Sequence, residues 1–133
     1  MKVMIDTNVL FSGALNPNGF VAKSLYKAMA APYEPVVCDY IVDELHRKFR
    51  EKFPDDIVNL EAFLYNALQT IDIVPTPTDE TESEKAIRDI KDRPILRAAL
   101  AAGVDYLLTG DKDFLEAGIE NPIIINSTDF MKF

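Results

Sequence analysis

The residues able to do chemistry in this chain are mostly carboxylates, and they gather in four short segments. Asp6-Thr7-Asn8 closes the β-prone run Lys2 to Ile5, and Thr109-Gly110-Asp111, with Asp113 beyond, closes the run Tyr106-Leu107-Leu108. Asp39, Asp43 and Glu44 open the helical stretch after Val36-Val37-Cys38, and Asp92 precedes a further helix. Two carboxylates about 4 Å apart repel by roughly 4 kcal/mol at an effective dielectric near 20. Three or four at one place therefore need a compensating cation to stay ionised. Oxygen donors with no histidine or cysteine beside them suit Mg²⁺ or Mn²⁺ rather than Zn²⁺. Such ions assist phosphodiester cleavage by activating water and stabilising charge on the phosphate. The lone His46 supplies no triad, and neither a G-x-S-x-G motif nor a P-loop is present. Metal-assisted hydrolysis is the chemistry this inventory permits.

Each acid also has an ordinary reading. Asp6 and Asp111 at strand ends suit turns, and Asp39, Asp92 and Asp113 stand where helix caps are wanted. Glu44 lies off the apolar stripe of its helix, on the side of Lys48, as a solvated glutamate paired with that lysine would. Asn8 and Thr109 also read as turn residues.

The elements that must position these groups alternate between strand and helix. Lys2–Ile5, Val36–Cys38, Ile71–Val74, a run within Asp105–Thr109 and Ile123–Ile125 are predicted strands. An apolar segment from Val9 to Leu15 ends in the turn Asn16-Pro17-Asn18-Gly19. Helices are predicted from Phe20 to Ala31, from Asp39 to about Phe53 (stripe Ile41, Leu45, Phe49, Phe53) and from about Asp56 to Gln69. The acidic stretch Pro75 to Glu84 reads as a surface loop, leading to a short helix around Lys85–Ile90. Pro94 begins the next helix, capped by Asp92 and ended before Gly103, and Phe114–Ala117 makes one helical turn. This order implies βαβ units, a mostly parallel central sheet covered on both faces, and one domain over residues 1–133. Ligands of open α/β sheets bind outside the carboxyl ends of the strands, and all four acidic segments are expected there.

Composition agrees with one globular domain: 133 residues, 48% apolar and 27% charged. A single cysteine, Cys38, excludes an internal disulfide; with no basic n-region and no long apolar run, a cytoplasmic, membrane-free protein is expected. The net charge of −8 argues against gripping nucleic acid over the whole surface. Two basic groups stand out against it: Arg47, Lys48, Arg50 and Lys52, and then Lys85, Arg88, Lys91, Arg93 and Arg97. They read either as solvated helix faces or as guides for a nucleic-acid strand.

Taken together, the motifs resemble those of the PIN-domain family. Ile5-Asp6-Thr7-Asn8-Val9-Leu10 with Ser12 resembles its opening motif, and Glu44-Leu45 followed by Lys48 its helical glutamate motif. Asp92 with Ile95-Leu96 and Ala98-Ala99 resembles its third acidic position; Tyr106 to Phe114, containing Thr109-Gly110-Asp111-Lys112-Asp113, resembles its fourth. The resemblance covers essentially the whole chain. It implies a three-layer α/β/α fold and a Mg²⁺- or Mn²⁺-dependent endoribonuclease whose metal ligands are Asp6, Glu44, Asp92 and Asp111, with Asp113 as a fifth. Asn8 and Thr109 would orient the carboxylates, and Lys48 and Arg93 would contact the RNA. The length and the TGDKDF wording resemble the VapC-like toxin components of bacterial toxin–antitoxin systems, which implies an antitoxin partner and a homodimer. Arg93-Pro94 departs from the family pattern, where small polar or acidic residues are common. Two rival readings stand beside this one: an inactive PIN-fold protein-binding module, and a phosphotransfer enzyme of haloacid-dehalogenase type. The latter needs a second acid two residues after the first, where this chain has Asn8.

Overall fold

The computed structural model describes residues 1–133. Five strands, β1 (Lys2–Ile5), β2 (Glu34–Cys38), β3 (Asp72–Val74), β4 (Tyr106–Leu108) and β5 (Ile123–Ile125), pair in the order β3-β2-β1-β4-β5. Every pairing is parallel. Val3, Met4 and Ile5 of the central strand are 0% exposed. That is possible only if helices cover both faces, as an all-parallel sheet requires. The helices are α1 (Thr7–Leu15), α2 (Phe20–Ala28), α3 (Asp39–Lys52), α4 (Ile57–Ala67), α5 (Arg93–Ala102), α6 (Lys112–Leu115) and α7 (Ser127–Phe130). Right-handed crossovers place α1–α4 on one face and α5 on the other, giving three layers. No helix is long and apolar enough to cross a membrane.

The stripe expected on α3 supplies the core: Ile41, Leu45 and Phe49 are buried, each contributing about 1.5–3 kcal/mol. Phe53 lies just past the helix end and stays partly exposed, its ring packed 5.9 Å from that of Phe11. Helix α2 ends at Ala28, three residues short of the expected end, and α4 is likewise trimmed at both ends. The Val9–Leu15 segment is helical from Thr7, with Asp6 as its N-cap. In place of a short helix around Lys85–Ile90 there are two 3-10 turns, Ser83–Ala86 and Ile90–Asp92.

Glu84 corrects the reading of residues 75–84 as an exposed acidic loop. Its carboxylate is buried and receives Arg97 of α5 through two hydrogen bonds, Nε at 2.9 Å and Nη2 at 2.7 Å. The arginine holds this acid down to about 2, against an ordinary value of 4.5. Arg97 also donates to the Pro77 carbonyl at 3.0 Å. The pair thus fastens the segment that leads to Asp89, Lys91 and Asp92.

Candidate metal centre

Strand order decides where the acids meet. The chain builds β1, β2 and β3 outward in one direction and then crosses back to place β4 on the other side of β1. Between β1 and β4 lies the switch point at which crossovers diverge and a crevice opens. Ile5 pairs with Leu108, so the next residues, Asp6 and Thr109, emerge side by side. The Asp6 N–H donates to the Leu108 carbonyl at 3.0 Å, and Thr109 Oγ1 donates to Asp6 Oδ2 at 2.8 Å. The other Asp6 oxygen accepts the Thr7 N–H at 2.8 Å. Thr109 Oγ1 in turn accepts the Asp111 N–H at 3.0 Å, so one buried hydroxyl links two carboxylate positions.

These residues open onto a polar cavity of about 310 Å³ with no apolar side chain in its lining. Asp6, Glu44, Asp92 and Asp111 all line it, joined by Asp89 and Glu51. Four cations, Arg47, Lys48, Lys52 and Lys91, share the wall, as does Asn8. Asp92 arrives because α5 runs back toward β4, which sets its N-terminus at the carboxyl edge of the sheet. The expected capping role of Asp92 is not observed: its side chain makes no cap bond. The carboxylate is instead free for the cavity. Asp111 both caps α6, accepting the Asp113 N–H at 2.9 Å, and lines the cavity.

Two further readings are corrected. Glu44 is not a solvated partner of Lys48: it is buried, accepts the Thr7 hydroxyl and meets Arg47 at 3.5 Å. Lys48 turns instead to Asn8, donating to its Oδ1 at 2.6 Å, so Asn8 orients a cation and has no hydrogen bond to a carboxylate. Thr7 stands in the opening motif with no role assigned from sequence, yet its hydroxyl ties the α1 start to the α3 acid. A β1 aspartate followed by a hydroxyl residue was the available signal. Asp39, read as a cap, begins α3 and accepts the N–H groups of Tyr40 and Thr76, pinning the segment after β3.

Asp113 and Arg93 lie outside the cavity lining. Asp113 is bound by Arg88 at 2.7 Å, yet its carboxylate, with those of Asp89 and Asp92, forms a group within 4.8 Å. Asp89, absent from the expected set, is therefore a neighbour of the centre on its outer side. Arg93 donates its Nε to the Ile87 carbonyl at 2.9 Å, which removes that donor from any phosphate contact. Of the second basic group only Lys91 reaches the cavity; Lys85, Arg88 and Arg97 are engaged with Glu82, Asp113 and Glu84.

Crowding and burial leave the acids short of a counter-charge. Burial lifts Asp6 to about 6, opposed by the Thr109 and Thr7 hydrogen bonds and reinforced by Glu44 and Asp111. Burial and the adjacent Asp111 carboxylate push Asp92 to about 8. A divalent cation here would restore both to the ionised state. The donor set fits Mg²⁺ or Mn²⁺, since every acidic donor is oxygen and no histidine or cysteine lines the cavity.

A PIN domain family model matches residues 2–113. Among solved structures, VapBC2 from Rickettsia felis, bound to a DNA fragment from its promoter, superposes with a TM-score of 0.72 at 17% identity. The match covers 95% of this chain and 98% of that one. FitAcB from Neisseria gonorrhoeae gives 0.68 at 20% identity, covering 95% and 98%. The sarcin-ricin loop cleaving toxin VapC20 from Mycobacterium tuberculosis gives 0.62 at 12% identity, covering 88% and 95%. Among curated proteins no sequence matches this chain.

Proposed function

The chain belongs to the PIN domain family, and from that premise we propose that it is a Mg²⁺- or Mn²⁺-dependent endoribonuclease, the toxin half of a toxin–antitoxin pair. One observation carries the reading. A buried aspartate at the sheet switch point opens onto a wholly polar cavity that five further carboxylates also line, Glu44, Asp92 and Asp111 among them from separate elements. Asp6, Glu44, Asp92 and Asp111 would hold the cation. When bound, it supplies Lewis-acid polarisation of the RNA phosphodiester and of the attacking water. The protein's own part is positional. Thr109 holds Asp6 and the Asp111 backbone, Thr7 holds Glu44, and Asn8 holds Lys48 at the rim. The rim cations offset the negative charge that an approaching RNA strand would otherwise meet. Asp113, whose carboxylate groups with those of Asp89 and Asp92 within 4.8 Å, is the fifth candidate ligand. The likeness to VapBC2, bound to a DNA fragment from its promoter, supports an antitoxin protein partner; a homodimer and a cytoplasmic site of action belong to the proposal as well.

The test is RNA cleavage by the purified chain in Mn²⁺, in EDTA, and with Glu44→Gln. Cleavage that needs the ion and disappears in Glu44→Gln supports the reading. A chain that binds Mn²⁺ but leaves RNA intact would be the inactive binding module instead.

A further inference from the structure

Beside the acidic cavity lies a second one of about 360 Å³, lined by Tyr40, Asp43, Glu44, Arg47, Arg50 and Lys91. Glu44, Arg47 and Lys91 belong to both walls, so the two spaces are contiguous. Their charge differs. The first holds six carboxylates against four cations, the second three cations against two carboxylates. Arg50 and Lys91 are exposed and form no ion pair with any carboxylate. In a protein of net charge −8, these two cations offer an anion from outside two donors that no carboxylate of the chain engages.

The lining follows helix geometry. Glu44, Arg47 and Arg50 recur every three residues on α3, each step advancing about 4.5 Å along the axis. Arg47 and Arg50 carry this row outward from Glu44 of the acidic centre. Lys91 faces it from the 3-10 turn before α5, and the Tyr40 hydroxyl donates to the Lys91 carbonyl, fixing that turn against α3. We infer that this second cavity is a subsite for the phosphodiester of single-stranded RNA adjoining the bond cleaved, with Arg50 and Lys91 as its anion-binding groups and Tyr40 as the strut between them. The inference rests on the ribonuclease reading and adds where the neighbouring phosphodiester sits: beside the acidic centre, between α3 and the 3-10 turn before α5.

Equilibrium binding of a fluorescent 12-nucleotide RNA tests it (length chosen for the assay, about one binding groove), read by anisotropy in Mg²⁺ from low to moderate salt. Every protein carries Asp6→Asn so that RNA is not consumed. Arg50→Ala and Lys91→Ala are each expected to weaken binding several-fold and to reduce the slope of log affinity against log salt by about 0.7 per lost phosphate contact. Lys23→Ala, an exposed cation on α2, should change neither. If the parent binds RNA and both variants match it in affinity and slope, the subsite is overturned while the ribonuclease reading stands. If the parent binds no RNA even at low salt, the ribonuclease reading fails and takes the subsite with it.

Discussion

Replacing Asp6 by asparagine should stabilise the metal-free protein while abolishing its response to metal. Asp6 is buried, and its carboxyl is raised from 3.8 to about 6 chiefly by that burial. At about 1.4 kcal/mol per pKa unit, the ionised group costs the fold about 3 kcal/mol near neutral pH. The sign follows from proton binding. The folded state holds this proton more tightly, so the stability associated with it is full below 3.8 and lost as pH rises through about 6. Asparagine keeps an acceptor for the Thr7 N–H and an amide beside Thr109 Oγ1, so the cap is retained. Urea unfolding in EDTA should therefore show Asp6→Asn more stable than the native chain at pH 7.5, by about 2–3 kcal/mol. That gap should close as pH falls toward 4. Adding Mn²⁺ at about 100 times its dissociation constant should stabilise the native chain by roughly 2.7 kcal/mol and the variant much less. An Asp6→Asn protein that is less stable in EDTA and retains the full Mn²⁺ gain would refute the account of Asp6 as a strained, cation-seeking ligand.

Other outcomes follow from the same contacts. Thr7→Val removes the hydroxyl that holds Glu44, and should lower Mn²⁺ affinity by about 10–100-fold in a calorimetric titration, with about 1 kcal/mol of stability lost. Glu84→Gln breaks the pair with Arg97. The depression from 4.5 to about 2, discounted for solvent screening, sets the loss at about 2 kcal/mol at pH 7. Since that stability is present above 4.5 and lost as pH falls toward 2, the deficit in urea unfolding should shrink to less than half by about pH 3. Gly103→Ala should destabilise by about 1 kcal/mol in thermal unfolding, because Gly103 ends α5 at φ +65°, a backbone conformation that glycine adopts without strain.

Much of this protein was legible in local pattern. Strand–helix alternation implied a parallel sheet, the spacing of Ile41, Leu45 and Phe49 implied the buried face of α3, and the position of Asp6, Asp92 and Asp111 relative to their elements implied one acidic edge. These are matters of period and order, which neighbouring residues determine through backbone geometry alone. The fate of individual side chains was not legible, because it depends on partners far along the chain. Glu44 looked solvated on its own helix and became buried only when Thr7, 37 residues away, was brought against it. Glu84 looked like one acid of an exposed loop until Arg97 packed over it. Asp92 looked like a cap, but its side chain makes no cap bond and faces the cavity. Nor could charge counting divide the second basic group into three paired cations, Arg93 turned to the Ile87 carbonyl, and Lys91 at the cavity, since pairing is settled by which surfaces meet. Sequence by itself determined which elements form and which edge carries acid. Tertiary structure alone decided which acids are desolvated, because desolvation is set by everything packed around a group rather than by its neighbours in the chain.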